Sequence, residues 1–389
     1  MPLVCCFSID TYGKMTETFF CEMILSAEVT EMFQHNHYVP VLKWKMGEYQ
    51  AISRLSDVAK GKITPLFEIP PVGFDFESGA DRESWASHLG DFGRRLASKW
   101  QSRTCFVDLK YIPKEIRIAG QHPVDFIFSQ VRDEGSAAVP VLSLANDKPF
   151  LQAVSRVIRA DGRGAALRIT LSDFDEDDLI PEIEGRLATV GASITDADLI
   201  VDIGAANFVP VKAFVRNLGI LYGMIPTPNR WRTFTIIGSS YPQTVAGLEP
   251  ESLVTRYEWL VYKAFVESLR RDSRIPTFGD YAAASTELVE LDMRLIKPLA
   301  KLRYTIDDQW YIAIGKNVRS NGFGQYRDMC AKLIRKPFFS GRAFSEADRY
   351  IEDCAKGKEK TGNLSTWVWV ATNRHLTKVV HDLASLYAS

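Results

Sequence analysis

Nothing in this 389-residue chain is apolar for long enough to cross a bilayer, which takes a run of about 20 residues. The first 30 residues hold apolar pieces at 3–7 and 19–25, but Asp10, Lys14, Glu17 and Glu22 interrupt them. No basic stretch precedes them, so a signal peptide is not expected. An excess of one charge is equally missing. With 47 basic and 48 acidic side chains the formal net charge is −1, too little to give a global field for nucleic acid or a membrane. Cysteine is sparse: six, at positions 5, 6, 21, 105, 330 and 354, with no C-x-x-C pair and no Cys/His cluster at zinc spacing. They read as reduced thiols of a cytoplasmic protein, with Cys105 in the core. Also lacking are a P-loop, a G-x-S-x-G elbow, an H-E-x-x-H helix and the kinase motifs, which removes those enzyme classes in their usual form.

What is present is a rhythm. From residue 38 onward, short β-branched apolar runs alternate with longer stretches of helical spacing. The runs fall at 38–43, 63–69, 104–109, 138–144, 165–170, 199–203, 233–237 and 275–281, starting 25 to 42 residues apart. That leaves room for a helix after each strand. Between them, 84–99 places Trp85, Leu89, Phe92 and Leu96 at steps of three or four, and 125–132, 149–159 and 210–221 are amphipathic in the same way. Because the strand runs are continuously apolar, they predict a parallel sheet buried on both faces. Eight such units predict a TIM-barrel-like (β/α)8 fold. An open doubly wound sheet is the rival, but the early units carry no G-x-G-x-x-G loop. Past residue 300 the rhythm stops: 302–306 and 309–314 flank Asp307 and Asp308 as a hairpin, and helices are expected near 345–355 and 367–387. The expected organisation is an extension at 1–31, a barrel at 32–300 and a hairpin-plus-helix appendage at 301–389.

A barrel builds its site where the strands end. Those positions hold Lys43 and Lys45, Glu68, Asp108 and Lys110, Ser143 and Asn146, Arg168, Asp202, Ser239 and Ser240, and Asp280. Charges ending buried runs must be paired, ligated or solvated. One reading makes them ion pairs that plug the barrel. The other makes them a polar site for an anionic substrate. In the second, Glu68, Asp108, Asp202 and Asp280 supply acid/base groups, with a divalent ion as an expected helper in phosphoester hydrolysis. Lys43, Lys45, Lys110, Arg168, Ser239 and Ser240 then hold the anion. Asp202 stands out as an acid, because Gly204 permits close approach, and Gly238, Ser239 and Ser240 offer a phosphate cradle after the seventh strand. His35 and His37 could share a metal on an extended chain, but no third ligand is evident. His375, Trp367 and Trp369 read as surface or packing residues of the appendage.

The run His35, Asn36, His37, Tyr38, Val39, Pro40, Val41, Leu42, Lys43, Trp44, Lys45, followed by Gly47 and Glu48, resembles the opening of the bacterial and phage beta protein family. Further pieces fit the same resemblance: Ile63 to Pro71, Arg303, Tyr304 and Thr305 with Asp307 and Asp308, and Thr372, Asn373, Arg374, His375 and Leu376. It covers the chain from about residue 32 onward. The resemblance implies a prokaryotic or phage origin and a place among mobile elements and antiphage defence neighbourhoods. That setting makes a nucleotide, a nucleic acid or a protein partner of a defence system the expected ligand. It implies no reaction. A recognition or scaffold subunit is therefore the alternative to an enzyme.

Overall fold

The computed structural model describes residues 33–75, 78–175, 178–288 and 297–388, with the backbone of two short strands, Ser8–Ile9 and Met15–Thr16. The chain divides into two units, 1–30 and 31–389. The first holds that antiparallel strand pair. Cys5, Cys6, Cys21 and the rest of the expected extension lie outside the described residues.

In the second unit, eight parallel strands close into a barrel: β1 (Tyr38–Lys43), β2 (Leu66–Glu68), β3 (Thr104–Asp108), β4 (Ala137–Leu142), β5 (Ala165–Thr170), β6 (Ala197–Asp202), β7 (Thr233–Gly238) and, after an intervening strand β8 (Glu251–Thr255), β9 (Thr277–Asp280). Each runs parallel to the next, and β9 pairs with β1 through Phe278↔Tyr38 to complete the ring. The open doubly wound alternative is thereby ruled out. The barrel interior is a layer of Val39, Val41, Leu66, Phe106, Val139, Val141, Ala166, Ile200 and Ile237, closed at its lower end by Phe33. The alternate residues, such as Leu42, Phe67, Val107 and Val201, face the helices. At Gly279 a Cβ would lie 2.7 Å from the Val39 carbonyl oxygen and 2.7 Å from Ile237 Cγ1, so glycine lets three strands meet there.

The surrounding helices include α1 (Met46–Ser53), α2 (Phe92–Trp100), α3 (Pro123–Asp133), α4 (Lys148–Asp161), α5 (Leu179–Val190), α6 (Val211–Met224) and α7 (Tyr257–Ser268). Local chemistry sets their ends. The Asp147 side chain accepts from Phe150 N ahead of α4, Pro149 sits in the first turn, and Gly162 at φ 65° stops it. The single helix expected over 84–99 is two, Trp85–Gly90 and α2, broken at Asp91. The break sets α2 so close to α3 that a Cβ on Gly93 would fall 2.6 Å from the Gln130 carbonyl.

The C-terminal region is a three-stranded antiparallel sheet, β10 (Leu299–Thr305) and β11 (Gln309–Asn317) with β8 on the far side of β11, covered by α8 (Gln325–Leu333), α9 (Glu346–Ala355) and α10 (Leu364–Leu386). Strand β8 was not expected from the sequence. It leaves the barrel between β7 and β9 and joins the sheet through Leu253↔Tyr311. An Asn363/Thr366 capping box starts α10. This helix lies along α1, where Gly47 faces Val368 and Asn373 Nδ2 donates to the Ala51 carbonyl at 3.1 Å. Among the described residues no helix is long and apolar enough to cross a membrane.

Candidate functional site

Parity along each strand decides which side chains enter the mouth. The inward phase that places Val41, Leu66, Phe106, Ala166 and Ile200 in the barrel carries on to Lys43, Glu68, Asp108, Arg168 and Asp202 at the C-terminal ends. Arg168 is the hub. Its Nη1 donates to Glu68 Oε1 at 2.8 Å and to Asp108 Oδ2 at 2.6 Å, and its Nε and Nη2 donate to Asp202 Oδ2 at 3.0 and 2.5 Å. Two ammonium groups complete the set. Lys110 Nζ lies 2.6 Å from Glu68 Oε1, and Lys43 Nζ donates to Glu68 Oε2, to the Tyr111 hydroxyl at 3.1 Å and to the Thr286 carbonyl at 3.2 Å. Three carboxylates meet three cations, so the cluster is neutral as a whole.

Each charge depends on its partners. Burial alone would raise the Glu68 pKa, but Arg168, Lys43 and Lys110 outweigh it and hold the carboxyl down to about 2. For Asp108 the balance reverses: burial dominates the Arg168 contact, and its pKa rises above the ordinary aspartate value. The free oxygens are occupied by backbone, Lys110 N donating to Asp108 Oδ1 and Gly204 N to Asp202 Oδ1, both at 2.9 Å. Only Lys110 among these six charged groups is substantially exposed, at 35% of its side chain, while Glu68 is fully buried.

Asp280 does not join them. It sits in the outward phase of β9, and its carboxylate is spent in the helix layer: Oδ1 accepts from the Tyr38 hydroxyl at 2.5 Å and from Ala282 N at 2.8 Å, and Oδ2 lies 2.8 Å from His375 Nε2. The position that enters the mouth is the next one, Tyr281. Its hydroxyl donates to Asp202 Oδ2 at 2.5 Å and accepts from Arg168 Nη2 at 2.6 Å. Tyr281 and Tyr111 are the members that sequence reasoning missed. Lys45 is exposed and lies outside the cluster. The expected phosphate cradle is turned inward on itself. Ser239 Oγ accepts from Tyr241 N at 3.2 Å, while Ser240 Oγ donates to Glu258 Oε2 at 2.5 Å and accepts from Tyr257 N at 2.8 Å, fastening the start of α7. Ser143 and Asn146 close a turn on each other through Ser143 N and Asn146 Oδ1 at 2.6 Å.

A divalent ion does not fit here. The three carboxylates already face three cations, and among the described residues no three His, Cys, Asp or Glu side chains are placed to hold a metal. His35 stacks edge-on against Tyr387, while His37 bonds Thr64 Oγ1 at 2.9 Å, so the two do not converge.

His375 is fully buried at the seam between barrel and sheet, not on the surface. Its Nδ1 meets Thr305 Oγ1 at 2.9 Å as its Nε2 meets Asp280. Burial pulls its pKa below the ordinary value, against the attraction and hydrogen bond of Asp280. Beside it Arg374 donates to the Thr305 carbonyl at 3.1 Å and to Ser340 Oγ at 2.9 Å, and its guanidinium lies over the Tyr304 and Phe344 rings at 4.2 and 4.3 Å. Arg303 to Thr305 and Thr372 to Leu376 therefore meet as one bolt, although about 70 residues separate them in sequence.

Among solved structures the fold is similar to a mutant tryptophan synthase alpha-subunit from the hyperthermophile Pyrococcus furiosus (10% identity, 66% of this chain and 89% of that one, TM-score 0.38). It is similar also to triosephosphate isomerase from Bartonella henselae (9%, 64% and 94%, TM-score 0.34). The hydrogen bonding of the eight strands establishes the barrel without them. No curated protein sequence matches the chain. The family model described as Beta protein matches residues 38–381, which takes in the whole barrel, the charged mouth and the bolt at its seam, and so the chain belongs to the Beta protein family.

Proposed function

We propose that this protein is a recognition barrel, in which the charged mouth is a rigid floor and the loops and sheet around it contact the ligand. The observation that carries this reading is the saturation of Arg168: all its bonds at the mouth go to Glu68, Asp108, Asp202 and Tyr281, with no donor left for a substrate oxygen. A group that must meet a reacting atom needs reach and a free lone pair or proton. Here the carboxylate oxygens are held by cations, hydroxyls and backbone amides.

A second reading has its own support. Lys110 reaches solvent at the lip beside the half-buried Tyr111, which leaves a phosphate-bearing nucleotide or nucleic-acid strand a cation to approach, with hydrolysis as the reaction. Asp202→Asn separates the two. If the mouth is a floor, the variant strands part of the Arg168 charge in a buried site and costs about 3–5 kcal/mol in a urea titration. If the mouth is catalytic, phosphoesterase activity on a nucleotide and oligonucleotide panel, with magnesium or manganese supplied, disappears while stability holds or rises.

A further inference from the structure

A cleft of about 290 Å³ opens beside the mouth, between the loops that follow β7 and β9, the edge strand β10 and the first turns of α10. Lys301 and Arg303 stand two apart on β10 and so project from one face into it. Among the described residues neither cation is paired with a carboxylate, and no wall of the cleft is acidic. Arg303 Nη1 donates to the Ala283 carbonyl at 2.7 Å, while its Nε is buried without a partner. Glu48, on the mouth side, is the carboxyl that feels Arg303, and burial drives it toward its neutral form. Lys301 is drawn below the ordinary lysine pKa first by the protein around it and then by Arg303, as expected for two like charges with nothing between them. The remaining walls are aromatic and apolar. Tyr326 and Trp367 stack in parallel 4.1 Å apart at one side, Tyr241 stands at the other, and Gln243 and Ser285 add polar groups at the rim.

We propose that this cleft binds a phosphomonoester carrying a flat ring, a nucleoside monophosphate being the common form. This rests on the reading of the mouth as a floor and names what is recognised above it. A phosphomonoester carries about −1.5 to −2 charge near neutral pH, which matches two adjacent cations where a carboxylate would match one. The aromatic wall suits a planar ring, and a volume at the small end of ligand pockets (about 300–1,000 Å³) admits one nucleotide and not a dinucleotide.

Isothermal titration of the full chain with AMP, GMP, CMP and UMP, with ribose 5-phosphate and adenosine as truncated probes, tests it. At least one nucleotide should bind, both truncated probes should bind tenfold or more weakly, and Lys301→Gln and Arg303→Gln should each weaken binding by tenfold or more at unchanged melting temperature. Lys110→Gln should bind as the parent does. Lys301 is exposed, so its variant carries the test even if Arg303→Gln, which loses the Ala283 bond, fails to fold. The proposal is overturned if no nucleotide binds at millimolar concentration, if ribose 5-phosphate binds as tightly, or if binding survives both substitutions. Loss of binding in Lys110→Gln alone would return the ligand to the mouth and overturn the floor reading as well.

Discussion

Asp280 and Tyr281 are neighbours that serve different parts of the protein. A strand alternates its side chains with a period of two, and nothing in a short apolar run marks which phase is inward. Lys43, Glu68, Asp108, Arg168 and Asp202 were legible because each is a charge closing a buried run. On β9 the same rule picks Asp280, which faces the helices, while the inward residue is an aromatic that reads as ordinary core. His375 escaped for a related reason, since a lone histidine in a long helix carries no trace of the carboxylate it will meet 95 residues away. The Tyr281 hydroxyl stands between Asp202 and Arg168, so Tyr281→Phe removes one bond to each charge without changing shape. Denaturant titration should find a loss of about 1–3 kcal/mol. A neutral result would mean that the two charges pair equally well without it.

Among the elements, long periodic segments were readable and short ones were not. All eight barrel strands were expected within a few residues, because βα spacing and β-branched runs repeat. Strand β8 was hidden: five residues, none fully buried, with Glu251 and Leu253 facing outward, leave no periodic signal, and only its pairing with β11 defines it. The α1–α10 contact was hidden as well, since it depends on an absent side chain. A Cβ on Gly47 would stand 2.3 Å from Val368 Cγ1. Gly47→Ala should therefore cost about 1–3 kcal/mol as the helices are pushed apart. Val368 Cβ would itself stand 2.5 Å away, so only a Val368→Gly background clears the contact, and there the same change should cost measurably less. Equal costs on both backgrounds would mean that the close approach does not couple the pair.

Taken as a whole, the molecule carries buried carboxyls with opposite pH dependence. Glu68, held to about 2 against an ordinary value of 4.5, contributes stability that is fully present above pH 4.5 and is lost as pH falls toward 2, a change of about 3 kcal/mol. Glu258 is raised by burial to about 7 despite Arg256 nearby. Its folded form keeps a proton that the unfolded chain releases above about pH 4.5, so its contribution declines as pH rises from 4.5 to 7. Glu258→Gln should gain stability relative to the parent between pH 5 and pH 8 in urea titrations. A gap that stays constant between those two pH values would show that Glu258 is already ionised at pH 5. The placement of β8 also matters while the chain is being made. This strand leaves the ribosome roughly fifty residues before β11, the partner that hydrogen-bonds it, and at about 5–20 residues per second the wait is roughly 3–10 s. Over that interval a finished run of β7 trails an unpaired strand, and the ring cannot be sealed until β9 follows it. The nascent protein is therefore most open to edge-to-edge association after its barrel is mostly built, which makes slowed translation across residues 256–308 a condition under which soluble yield should fall.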